Sequence, residues 1–105
     1  GGAMMGDFTK AGLDKGDLEK ELEHMLLSAK IIYKSYLATI EDLTAQELSY
    51  DLEEYKDQLK KTIMPLVGRA EATKNKKLIN MAYEIRYLYE KLIESIEKRL
   101  NNFGA

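Results

Sequence analysis

Asp42-Leu43-Thr44-Ala45-Gln46-Glu47-Leu48 decides how this chain folds. Thr44 followed three residues later by Glu47 is a capping box. The Thr hydroxyl accepts the Glu47 amide, and the Glu carboxylate reaches back to the Thr44 amide. Leu43 and Leu48 stand at the staple positions on either side, where an apolar pair fixes the angle at which chain enters helix. One helix therefore ends near Asp42 and another begins at about Ala45.

Upstream, Leu18, Leu22, Met25, Ala29, Ile32, Tyr36 and Leu43 recur on alternating steps of four and three, with one step skipped at Thr39. That spacing gives a helix with one buried stripe. Asp14 can cap it, with Leu13 stapled to Leu18. Asp17 can cap it instead, with Glu19 and Glu21 near the positive end of the helix dipole.

Downstream, the second stripe is Leu48, Leu52, Tyr55, Leu59, Ile63, Leu66 and Ala70. Pro65 interrupts it by removing one backbone donor and crowding the carbonyl four residues earlier. A kink near Thr62 to Pro65, with helix continuing to about Ala72, keeps Leu66 and Ala70 in phase. A break at Thr62 is the alternative. Thr73-Lys74-Asn75-Lys76 is the next turn, where Thr73 or Asn75 can cap a third helix from about Lys76 to Asn101. Its stripe is Leu78, Met81, Ala82, Ile85, Tyr89, Leu92, Ile96 and Leu100, and Asn102 and Gly104 are expected to end it.

Short turns make successive helices antiparallel neighbours. The expected fold is all-α: an up-down-up antiparallel three-helix bundle over 14–102, with helices at about 14–42, 45–72 and 76–101. Each helix is about 40 Å long. Residues 1–4 (Gly1-Gly2-Ala3-Met4) read as the remnant of a cleaved tag, and the Gly-bearing stretch 5–13 as a flexible N-terminal arm.

The 105 residues carry 16 Lys and Arg against 18 Asp and Glu, a single His and no Cys. Zero Cys excludes disulfides, thiolate zinc sites and cysteine nucleophiles. A net charge of -2 argues against nucleic-acid binding through bulk positive charge. No run of about 18 apolar residues is present to cross a membrane, and a cytoplasmic location is expected.

Projecting each helix at about 100° per residue separates core from leftover apolar side chains. The first helix leaves His24, Leu27, Ile31 and Ala38 almost opposite its core line. The third leaves Ile79, Tyr83 and Tyr87, with Arg86 and Glu90 beside them. The second leaves little beyond Tyr50 and Met64. First and third helices run parallel in this topology, so Leu27 and Tyr87 stand at similar heights. Their stripes form one patch if they face the same side. Tyrosine and arginine commonly anchor binding hot spots. The expected partner interface is Leu27, Ile31, Ile79, Tyr83, Arg86 and Tyr87.

Charge is uneven as well. Residues 7–65 hold thirteen acidic and eight basic side chains, and residues 66–105 hold five and eight. A basic turn gathers Lys60, Lys61, Arg69, Lys74, Lys76 and Lys77, with only Glu71 against them in sequence. Two readings stand: contact with phosphates or an acidic partner, or cations complementing a helix C-terminus. Nucleic acid would be met indirectly or through this turn.

Chemistry has few footholds. Glu21-Leu22-Glu23-His24 has the Glu-x-x-His spacing of di-iron four-helix proteins, but those sites need two such pairs facing inward, and His24 projects away from the stripe. The serines have no His to activate them, and the carboxylates have no cleft to shift their pKa values. The expectation is no catalytic residue, no metal and no cofactor.

Ile31-Ile32-Tyr33-Lys34-Ser35-Tyr36 and Tyr83-Glu84-Ile85-Arg86-Tyr87-Leu88-Tyr89 are similar in flavour to the Ile/Tyr/Lys/Glu-rich helices of short crenarchaeal proteins. Over residues 5–105 the chain resembles, in size, composition and helical architecture, a small accessory subunit of the crenarchaeal family B replicative DNA polymerase holoenzyme. The resemblance implies a non-catalytic archaeal subunit of DNA replication, docked on a DNA polymerase catalytic subunit. It transfers no functional residues, because no motif is shared. Two alternatives remain open at this point: a small export or secretion-type chaperone that masks a client helix, and a structural homodimer whose stripes pack on their symmetry mates.

Overall fold

Thr44 adopts the extended backbone of an N-cap (φ -75°, ψ 162°). Its hydroxyl accepts the Glu47 amide at 3.1 Å, and the Thr44 amide donates to Glu47 Oε1 at 2.9 Å. Leu48 is fully buried, and half-buried Leu43 packs into the same cluster, so the apolar staple forms beside the polar box. The computed structural model describes residues 15–104, so the tag remnant at 1–4 and the arm at 5–13 lie outside the described residues.

Three rods result. The first is α1 (Lys15–Thr39), which tightens into a single 3-10 turn at Ile40–Asp42. The second is α2 (Ala45–Gln58), a wide π turn (Leu59–Ile63) and α3 (Met64–Ala72), without a break. The third is α4 (Lys76–Gly104). No strand occurs among the described residues. The all-α, up-down-up three-helix architecture expected from the spacing is the one formed.

In detail the rods refine the expectation, each time for a physical reason. Helix is already present at Lys15, so Asp17 lies inside the first turn and is not the cap. Asp14, the other candidate, lies outside the described residues. Around Pro65 the rod does not break at Thr62 but continues to Ala72, as the in-phase stripe requires, and its irregularity is the π turn over Leu59–Ile63. The Met64 amide donates five residues back, to the Leu59 carbonyl, and the extra residue in that turn takes up the strain of the proline ring. The wider turn winds less per residue. It therefore brings Val67, off the stripe of an uninterrupted helix, into the core at 3% exposure. Finally, α4 runs through Gly104, past Asn102. The Arg99 guanidinium lies 5.0 Å from the Phe103 ring one turn on, an i,i+4 pair that supports the last turn.

The core has two unequal parts. Near the second turn, Leu18, Leu22, Ile63, Leu66, Leu78 and Ile85 are buried together. Near the capping box only Leu48, Leu92 and Ile96 are buried, with a rim of half-covered residues that includes Ile32, Tyr36 and Leu52. Ile93, absent from the expected stripe, is also buried. The third rod packs along α1 and along both halves of the second rod. The first and second rods meet chiefly through long side chains. Arg69 clamps Glu21 with two bonds of 3.0 and 3.2 Å, and the Tyr36 hydroxyl donates to Asp51 at 2.6 Å.

At the second turn, Asn75 is the cap: its side-chain oxygen accepts the Leu78 amide at 3.2 Å. Thr73 braces the turn, donating to the Ala70 carbonyl and accepting the Asn75 amide. Lys74 takes a left-handed conformation (φ 58°), a region unfavourable by about 1–2 kcal/mol for a residue with a Cβ. Lys74→Gly should therefore raise stability by roughly 0.5–1 kcal/mol, because Gly carries no Cβ penalty there. Thr44→Ala should lower it by about 1 kcal/mol through loss of the cap. Urea denaturation followed by far-ultraviolet circular dichroism measures both.

Candidate functional surfaces

Because α1 buries one stripe, the residues half a turn away face solvent. Leu27 is 61% exposed and Ile31 55%. On α4 the same logic leaves Tyr87 57% exposed and Tyr83 37%. Ile79 and Arg86, expected with them, are half-buried. Arg86 lies over the Tyr83 ring, 4.6 Å from its centroid, so the cation and the aromatic form one stacked unit. The Tyr83 hydroxyl donates to Glu71 at 2.6 Å, which ties α4 to the end of α3. That hydrogen bond, more than burial, raises the pKa of Tyr83 above the ordinary tyrosine value.

The two stripes do not merge into one patch. Lys30 and Glu84 pair at 3.7 Å across the α1/α4 seam. By helical projection each sits between its own rod's outer stripe and that seam. Tyr83 meanwhile turns toward α3. Leu27 with Ile31, and Tyr87 with the Tyr83–Arg86 stack, are thus separate surfaces on separate rods. Around Leu27 and Ile31, the exposed Lys20, Glu23 and Lys34 have no ion-pair partner among the described residues. The sequence reading passed over these charges, although the same helical projection would have found them.

The basic turn is less bare than its sequence suggests. The start of α1 runs beside it and supplies acids from far away in the chain. Lys77 donates to Glu19 at 2.6 Å, and Arg69 is held by Glu21. Lys61 pairs with Asp57 one turn back. Lys60, Lys74 and Lys76 remain without an ion-pair partner among the described residues. The expectation that only Glu71 opposes this cluster is therefore corrected. Glu71 is engaged by Tyr83, while Glu19 and Glu21, invisible to a linear reading, do the neutralising.

Glu21 of the Glu-x-x-His motif is thus committed to Arg69. No group of three or more His, Asp or Glu side chains positioned to hold a metal occurs among the described residues. His24 lines an open hollow of about 420 Å³ with Lys20, Glu21 and Met25. A second hollow of about 370 Å³ lies beside the capping box, lined in part by Tyr50 and Asp51. No helix among the described residues is long and apolar enough to cross a membrane.

Titratable groups drawn in from water form a tyrosine chain through the interior. Tyr36, Tyr55 and Tyr89, one from each rod, meet edge to face at centroid distances of 5.8 and 6.1 Å. The Tyr89 hydroxyl donates to Gln58 at 3.0 Å. Burial raises the pKa of all three, and the hydrogen bond to Asp51 raises Tyr36 further.

Comparison with family models, with curated proteins and with solved structures finds no match to this chain.

The tyrosine chain makes a test in alkali. In the unfolded chain tyrosine ionises near pH 10. A higher folded-state value means the contribution to stability is complete below about pH 10 and is lost as pH climbs toward the folded value. The urea midpoint should fall above about pH 10, with Tyr36→Phe showing the smaller alkaline loss.

Proposed function

We propose that the chain is a non-catalytic helical protein-binding subunit. The observation that carries this reading is the outer face of α4, where Tyr87 is 57% exposed beside the Arg86–Tyr83 stack. A ring with few rotors binds at low entropic cost, and an arginine whose guanidinium already lies over a neighbouring ring loses less freedom on binding.

The partner we assign is the catalytic subunit of a family B replicative DNA polymerase. This assignment rests on the resemblance in size, composition and helical architecture. In that setting the subunit is cytoplasmic and does no chemistry. Lys74 and Lys76, at the tip of the second turn and without an ion-pair partner among the described residues, supply a weak positive contribution toward primed DNA or an acidic partner surface.

The test is direct binding to the purified family B polymerase of the same organism, followed by calorimetry. Tyr87→Ala should weaken binding by at least tenfold, about 1.4 kcal/mol, while leaving the thermal midpoint within error, because Tyr87 is mostly exposed and makes no hydrogen bond among the described residues. Tyr83→Phe is the control for the Glu71 bond: it should cost stability and spare binding. Wild-type protein that shows no affinity for the polymerase sinks the assignment.

A further inference from the structure

We propose that the outer face of α1 is a self-complementary surface on which a second, antiparallel copy of the same chain docks. The argument begins with an apolar pair that the bundle leaves open, Leu27 and Ile31. Around it lie three exposed charges that form no ion pair among the described residues: Lys20, Glu23, whose field reaches Lys77 without a direct contact, and Lys34. At about 100° per residue these five positions and Ala38 fall within a sector of roughly 80° on one side of α1.

Their order along the helix selects the occupant. A two-fold axis relating antiparallel helices pairs residues whose numbers share one midpoint. The midpoints of Leu27 with Ile31, of Glu23 with Lys34 and of Lys20 with Ala38 all fall at the level of Ser28 and Ala29. Across that axis Leu27 meets the partner copy's Ile31, and Glu23 meets the partner copy's Lys34, each contact occurring twice. Lys20 comes to lie on Ala38, at the end of α1 where free carbonyls and the acidic Glu41 and Asp42 favour a cation. Lys30, which the axis brings near its own copy, is neutralised by Glu84 within its own chain. A parallel pairing would instead oppose Glu23 to Glu23 and Lys34 to Lys34. The charge pattern thus fits an antiparallel copy of this chain and disfavours the parallel one.

The face is narrow, so the dimer belongs to the weak class that buries less than about 1,200 Å². It uses α1 alone and leaves the α4 face free. Self-association and polymerase binding can therefore succeed or fail independently.

Sedimentation equilibrium of the full chain across the micromolar range tests it. The wild type should move from 12.0 kDa toward twice that mass with rising concentration. Leu27→Asp should hold it at the monomer mass. Glu23→Lys and Lys34→Glu should each weaken self-association roughly tenfold, since each replaces two attractive pairs by two repulsive ones. An equimolar mixture of those two charge variants should associate again, because each then faces the opposite charge in the other. Circular dichroism should show all three variants folded, and the charge variants keep the test decisive if Leu27→Asp does not fold. A wild type that stays monomeric, a dimer indifferent to Leu27→Asp, or a mixture that fails to restore association each overturns the proposal.

Discussion

The constraint on which the rest depends is that one helix, α4, serves as the wall for both of the others. Its stripe from Leu78 through Ile85 to Ile96 is buried apart from the half-covered Met81. The first and second rods lie against it but approach each other chiefly through long side chains. A slender bundle of about 40 Å rods has a high surface-to-volume ratio. One continuous stripe shared twice is an efficient way to close a core in so short a chain. The consequence is asymmetry: the second-turn end is tightly closed, and the capping-box end is ringed by half-covered tyrosines and isoleucines.

Pro65 shows how such a bundle tolerates a residue hostile to helix. A break would have divided the second rod and cost α4 half of its partner. A single wide turn keeps the rod continuous, delivers Ile63 and Leu66 to the core and adds Val67. The proline therefore shifts which residues are buried without changing the topology.

The proposed function is a matter of surfaces. The Lys30–Glu84 pair separates the α1 face from the α4 face, and the two differ chemically. The α4 face offers aromatic rings and a stacked guanidinium, chemistry suited to a foreign protein surface. The α1 face offers a short aliphatic pair framed by charges in an order that is its own complement. In the basic turn Arg69 and Lys77 are paired with Glu21 and Glu19, and Lys60, Lys74 and Lys76 stay without an ion-pair partner among the described residues.

The sequence by itself determined the number of helices, their limits to within a few residues and most of the core. Capping at Thr44 and apolar spacing are local properties, and local interactions set them. It also marked Leu27, Ile31 and Tyr87 as outward-facing, since a projection needs only the helix and its phase. Tertiary structure alone decided that Ile93 is buried, that Glu19 and Glu21 pair with the basic turn, and that the two apolar stripes stay apart. Each of those depends on how one rod is rotated against another, and rotation is set by packing across elements distant in the chain, which no local pattern encodes.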